Sequence, residues 1–200
     1  MKDVKLSKNF KLSEFTSVDQ SDYSIALLKL LASQLQIVRN GLQEYAKDKK
    51  KQVSISINSG VRTQADYDRL KKSGYSPSET SDHFCGLQLK CKPTLGAADI
   101  TVSNCVLTLQ EIAGMIIDWN KLGYVDFGQI IFEYNPKTKS SWIHVGNDWN
   151  LIFASTFLMD FYDINRKKYL MSLDNGKTYK TFNLSTITKE LNKWELWLFL

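Results

Sequence analysis

Gly128-Gln129-Ile130-Ile131-Phe132-Glu133-Tyr134, then Asn135-Pro136-Lys137-Thr138-Lys139, then Ser141-Trp142-Ile143-His144-Val145 is the stretch from which the fold is read. The outer runs are rich in β-branched and aromatic residues, and the segment between them carries turn chemistry. The three pieces therefore predict a β-hairpin. Side chains alternate across a strand, so Ile131 and Glu133 share a face, as do Trp142 and His144.

Upstream of the hairpin, Ala97 to Val102 reads as another strand, with Asp99 near its middle. Thr108-Leu109-Gln110-Glu111 is a capping box that opens a helix to about Lys121, with Ile112, Met115, Ile116 and Trp119 as its buried face and Gly123 as its cap. Val53-Ser54-Ile55-Ser56-Ile57 alternates apolar and polar residues, as a half-buried strand does. Ser59-Gly60 turns the chain, Arg62 follows, and Thr63 with Asp66 opens a short helix over about 64–73, ended by Gly74. Leu27, Leu28, Leu31, Leu35, Val38, Leu42 and Tyr45 recur at helical spacing and predict one long helix over about 21–46, stopped by the basic run Lys47-Asp48-Lys49-Lys50-Lys51. Residues 7–16 read as an extended lead-in whose Phe10, Leu12 and Phe15 plug into the domain. Helix, strand, helix, strand, helix and hairpin in that order predict an α+β domain, an antiparallel-rich sheet with flanking helices.

Residues 1–150 account for that domain. From 151 to 200 the character changes to an aromatic-rich segment in which Asp174-Asn175-Gly176-Lys177 predicts a hairpin turn and about 185–199 a helix opened by Ser185, with Leu191, Trp194, Leu198 and Phe199 apolar. This C-terminal extension reads either as a hairpin plus helix packed on the domain or as a small module that binds wall polymer or a partner through Trp194 and Trp197.

At 43% hydrophobic and 24% charged residues, the 200-residue chain has enough apolar content for a sizeable core. The net charge of +5 is modest. The basic run at 47–51 reads as a solvated helix end or a mild attraction to an anionic polymer, and no nucleic-acid-binding signature accompanies it. No apolar run is long enough for a membrane span. Met1-Lys2-Asp3-Val4-Lys5 has no apolar signal region, so the expectation is synthesis in the cytoplasm without a signal peptide. The odd count of three cysteines agrees with a reducing compartment. Cys85 and Cys91 either bridge, bind metal or lie buried as ordinary small thiols.

The chain holds two histidines, His83 in Ser81-Asp82-His83-Phe84-Cys85-Gly86 and His144 in the hairpin. With Asp99 of Gly96-Ala97-Ala98-Asp99-Ile100 they make a candidate three-ligand zinc site, since imidazole nitrogen and carboxylate oxygen suit that ion and three protein ligands leave a position for water. Spacing alone leaves all three open to ordinary structural roles.

Ser59-Gly60-Val61-Arg62-Thr63, Ser81-Asp82-His83, Gly96-Ala97-Ala98-Asp99-Ile100, Gln129-Ile130-Ile131-Phe132-Glu133 and Trp142-Ile143-His144-Val145 occur in that order. Over about residues 7–147 the chain thereby resembles the D-alanyl-D-alanine carboxypeptidase family of zinc peptidases, to which many phage endolysins belong and which shares its fold with lysostaphin and the hedgehog signalling domain. The resemblance implies a hedgehog/D-Ala-D-Ala-peptidase-like fold, zinc held by His83, Asp99 and His144, and Arg62 contacting substrate near the metal, where its fork of donors matches a carboxylate. It implies hydrolysis of peptidoglycan stem peptides; with no signal peptide expected, a phage-type lytic enzyme that reaches the cell wall after release or as part of a phage particle fits best, and a monomer is expected.

Two departures stand out. His83 and Asp99 are further apart than is usual in the family, so about Leu87 to Leu95 loop out as an insert beside the site. The position three before the final histidine, where the family has an acidic general base, is Ser141. Hydrolysis needs a carboxylate within hydrogen-bond reach of the attacking water. Glu133 on the partner strand and Asp82 beside His83 are the two candidates. The lost base also admits a catalytically inactive relative that serves as a structural or wall-binding protein.

Overall fold

A computed structural model of the chain describes residues 3–89, 92–148 and 167–196. The long helix α2, Asp22–Leu42, follows a four-residue helix α1, Leu12–Phe15, in a segment expected to be extended. The Glu14 carboxylate accepts the Lys11 N–H at 2.7 Å, which is enough to coil one turn. Phe10, Leu12 and Phe15 are nonetheless buried.

Helix α2 opens on Ser21, whose hydroxyl accepts the Ser24 N–H at 3.1 Å. Its stripe of Leu27, Leu28, Leu31, Leu35, Val38 and Leu42 is buried, and each such side chain contributes roughly 1.5–3 kcal/mol on leaving water. The α-helix is shorter than the spacing predicts. After Leu42 the chain tightens into a 3-10 turn, Gln43–Tyr45, and Tyr45 is exposed. The Gln43 side chain is the cause: it accepts the Val53 N–H at 2.9 Å and donates to the Lys51 carbonyl at 3.2 Å, drawing the lysine run back against the helix end.

Strand β1, Ser54–Ser59, leads to helix α3, Gln64–Lys72, capped by Thr63 and Asp66. A 3-10 turn, Asp82–Phe84, precedes the insert, which forms a minimal hairpin of β2, Gln88–Leu89, and β3, Lys92–Pro93. Strand β4, Ala97–Ser103, helix α4, Leu109–Lys121, and the hairpin strands β5, Phe127–Asn135, and β6, Ser140–Asn147, follow. Along α4, Ile112, Ala113, Ile116, Ile117 and Asn120 are buried, while Met115 and Trp119 are half-buried at the edge.

Beyond the undescribed stretch, β7, Lys168–Ser172, and β8, Lys180–Thr181, pair across the Asp174–Lys177 turn, and helix α5, Leu184–Leu196, closes the described chain. Asn183, rather than Ser185, caps α5 by accepting the Thr186 N–H at 3.0 Å. Ile187 of α5 is fully buried in the core. Cys91, Trp197, Leu198 and Phe199, for which the sequence raised expectations, lie outside the described residues.

The sheet has six strands in the order β1-β4-β6-β5-β7-β8, antiparallel throughout except between β5 and β7. With five α-helices among the described residues, this is an α+β architecture. Its inner face carries Ile100, Ile143, Val145, Ile130 and Phe132, all without exposure and joined in one cluster with the α2 and α4 stripes. Register fixes the outer face. Ser59, Asp99, His144, Ile131 and Leu170 stand side by side across five strands, and an irregularity between Ile57 and Ser59 is what brings Ser59 level with Asp99.

Candidate metal centre

Asp99 on β4 and His144 on β6 are directly paired, so their side chains rise together from the outer face. His83 reaches the same point from the 3-10 turn. Its Nε2 lies 3.2 Å from Asp99 Oδ1 and 3.2 Å from His144 Nδ1, and His144 Nδ1 lies 3.0 Å from Asp99 Oδ1. All three residues are buried, and the group is able to hold a metal ion.

The proton count favours a cation there. His83 Nδ1 lies 2.6 Å from the Gly60 carbonyl, so that nitrogen carries the hydrogen and donates it. Burial pushes the His83 pKa down, which favours the neutral ring. Its Nε2 lone pair then faces a carboxylate oxygen and a second imidazole nitrogen, three acceptor positions with at most one proton to share. A cation satisfies all three. Ligands about 2.0–2.1 Å from a tetrahedral ion stand about 3.3 Å apart, close to the separations found.

The surroundings orient each ligand as an outer shell does around a metal. Arg62 Nη2 donates to Asp99 Oδ2 at 2.6 Å and its Nε to Ser59 Oγ at 3.1 Å, while its backbone N–H donates to the His83 carbonyl at 2.9 Å. Burial works against the Asp99 carboxylate, but its pairing with the two histidines holds it well below the usual carboxylate range. Burial also opposes charge on His144, yet the Asp99 hydrogen bond and the negative charges of Asp99 and Glu133 together outweigh it and raise that pKa, so a metal must displace a proton at acid pH. Gly60 is needed where it is. A Cβ there would come within 2.3 Å of the Phe15 carbonyl oxygen, and any larger residue would move the carbonyl that holds His83.

Glu133 pairs with Trp142 two residues along from the Ile131–His144 pair, so it shares the outer face with the ligands. Burial pushes its pKa up to about 7, with His144 and Arg62 pulling down and Asp99 pushing further up. Ser141 pairs with Tyr134, out of phase with His144, and points to the other face. The Asp82 carboxylate accepts the Leu95 N–H at 3.0 Å, and its carbonyl accepts the Gly96 N–H at 3.1 Å, which ties the insert to the 3-10 turn.

These groups open into a cleft of about 870 Å³. Arg62, Asp82 and Glu133 line it with the three ligands. So do Gln129, Trp142 and, from the C-terminal segment, Tyr179, which sequence reasoning did not single out. The turn at 174–177 was legible, but its nearness to Glu133 follows from the parallel pairing of β7 with β5, a long-range choice that leaves no local mark. Cys85 is a buried free thiol whose Sγ lies 3.7 Å from the Ser24 carbonyl, and burial pushes its pKa up to about 12. It is not near-neutral thiolate chemistry. Cys105 is likewise free and buried.

No protein-family model matches the chain, and no curated protein or solved structure is significantly similar to it. No helix among the described residues is long and apolar enough to cross a membrane.

Proposed function

We propose that the chain is a zinc-dependent peptidase of the D-alanyl-D-alanine carboxypeptidase type, with the hedgehog-like fold of that family, and that it hydrolyses peptidoglycan stem peptides as a phage-type lytic enzyme. One observation carries the reading: His83, Asp99 and His144 converge at ligand spacing in an open cleft with Glu133 on the same sheet face. The ordered sequence resemblance supplies the substrate class.

Zinc, when bound, supplies a Lewis acid for the scissile carbonyl and lowers the pKa of water at the site to about 7. Glu133 is the general base. It takes a proton from the attacking water as the new C–O bond forms, then returns it to the amine nitrogen as the C–N bond breaks. A carboxyl that titrates near neutral pH suits both transfers. Arg62 holds Asp99 in place and borders the cleft where a substrate carboxylate or carbonyl oxygen would lie. Asp82 is the weaker candidate base, because its carboxylate already accepts the Leu95 N–H.

A second reading, an inactive relative used for structure or wall binding, is favoured only by Ser141 at the family's base position. Digestion of purified peptidoglycan, with and without a chelator, followed by mass analysis separates the two. New amine and carboxyl termini that vanish with chelator are expected. Intact peptidoglycan after treatment with zinc-loaded protein would overturn the peptidase reading.

A further inference from the structure

The lateral order of the outer face gives the cleft a direction. The ligand group sits on β4 and β6, Glu133 on the next strand β5, and the β7–β8 turn beyond it. That turn is firmly built. Asp174 Oδ1 accepts from Ser172 Oγ at 2.8 Å and from the Thr178 N–H at 2.9 Å, and the Gly176 N–H donates to Ser172 Oγ at 2.9 Å. The Asn175 N–H donates to the Tyr134 carbonyl at 3.0 Å, which clamps the turn against β5.

Tyr179, the residue before β8, turns its hydroxyl towards Glu133. The point a Cβ on Gly176 would occupy lies 3.0 Å from the Tyr179 hydroxyl and 3.6 Å from Glu133 Oε2. Gly176, at φ 75°, leaves that gap free. The Tyr179 residue is 48% exposed and lines the cleft, so a ligand reaches it. Burial of the hydroxyl, with the charges of Glu133 and Asp99, pushes its pKa up to about 12, so the phenol remains a hydrogen-bond donor.

A peptide cut by the chemistry proposed above has its scissile carbonyl at the ligand group and its leaving nitrogen within reach of Glu133. Past Glu133 in the same direction lies the β7–β8 turn. Resting on that reading, we infer that Tyr179 contacts the substrate residue on the leaving-amine side of the scissile bond, through its ring and a hydrogen bond from its hydroxyl to a backbone carbonyl or carboxylate. The C-terminal segment thereby supplies one substrate subsite to a site otherwise drawn from residues 59–144.

The test is equilibrium binding, by titration calorimetry, of L-Ala–γ-D-Glu–L-Lys–D-Ala–D-Ala and of versions shortened one residue at a time from the C-terminus. The protein is the full chain treated with chelator, so that nothing is cut. Relative to the unmodified chain, Tyr179→Leu is expected to bind the longest peptide about tenfold more weakly, and Tyr179→Phe about threefold, as for one lost neutral hydrogen bond. Both losses are expected to disappear once the peptide no longer extends past the bond that is cut. Equal binding by both variants at every length, or no binding by the unmodified chain, overturns the subsite. Hydrolysis by zinc-loaded protein is scored separately. A length-dependent loss of binding without hydrolysis would remove the peptidase and keep the subsite, and hydrolysis with no effect of Tyr179 would do the reverse.

Discussion

Ile143 and His144 are chain neighbours, and the sheet sends them to opposite sides. Ile143 joins Ile100, Ile130, Phe132 and Val145 under α2 and α4, with no surface left to solvent. His144 joins Asp99 and Glu133 in an open cleft. One strand thus serves packing and chemistry in alternate residues. The inner face is tolerant in kind and strict in volume, since any apolar shape that fills the space will do. The outer face is strict in kind, because a proton, a lone pair or a charge at the wrong atom leaves its neighbours unsatisfied.

The largest expected effect tests whether the outer face is dispensable for folding. His144→Ala is expected to abolish zinc binding and hydrolysis while the circular dichroism spectrum and cooperative melting persist, because the core lies on the other face. Stoichiometric zinc in that variant, by metal analysis of dialysed protein, would show the ligand assignment to be wrong. The complementary change is Phe132→Ala. Emptying a fully buried aromatic site is expected to cost about 3–5 kcal/mol in urea unfolding, with zinc uptake by the folded fraction unchanged. A loss below about 1 kcal/mol would mean the inner face relaxes more easily than its packing implies.

The smallest expected effect sharpens the contrast within the outer face, between holding metal and moving protons. Glu133→Gln is expected to lower turnover about 100-fold and leave zinc bound. Near-normal turnover would exclude Glu133 as the base. The same variant carries a stability signature in chelator-treated protein. Burial raises the Glu133 pKa from 4.5 to about 7, so its stabilising protonation is fully present below 4.5 and lost as pH rises through about 7. Glu133→Gln is therefore expected to melt like the unmodified chain near about pH 4 and at a higher temperature near about pH 8. Parallel melting curves across that window would show Glu133 to be better solvated than its burial implies.

Much of the fold could be read from local pattern. The α2 stripe, the Thr108–Glu111 capping box and the hairpin each carry a period or a turn strong enough to stand alone. The site was legible through its rare residues, two histidines placed in ordered segments. What stayed hidden depended on distant parts of the chain. The α2 end is set by Gln43 meeting Val53, the α1 turn by one Glu14 carboxylate, and the cleft wall at Tyr179 by β7 choosing β5 as its parallel neighbour. Whether Glu133 shares a face with His144 could be posed from sequence as a question of strand phase, and only the register answered it.

Phe15 has a reach that its distance in sequence from the ligands hides. Its carbonyl accepts the Val61 N–H at 2.8 Å and lies within 2.3 Å of where a Cβ on Gly60 would sit, and the Gly60 carbonyl in turn holds the His83 ring. The N-terminal segment therefore works as a wedge behind the ligand loop. Trimming by a protease, or a tag that levers those residues out of their sockets, would slacken the loop and loosen the His83–Asp99–His144 group without altering any of its three members.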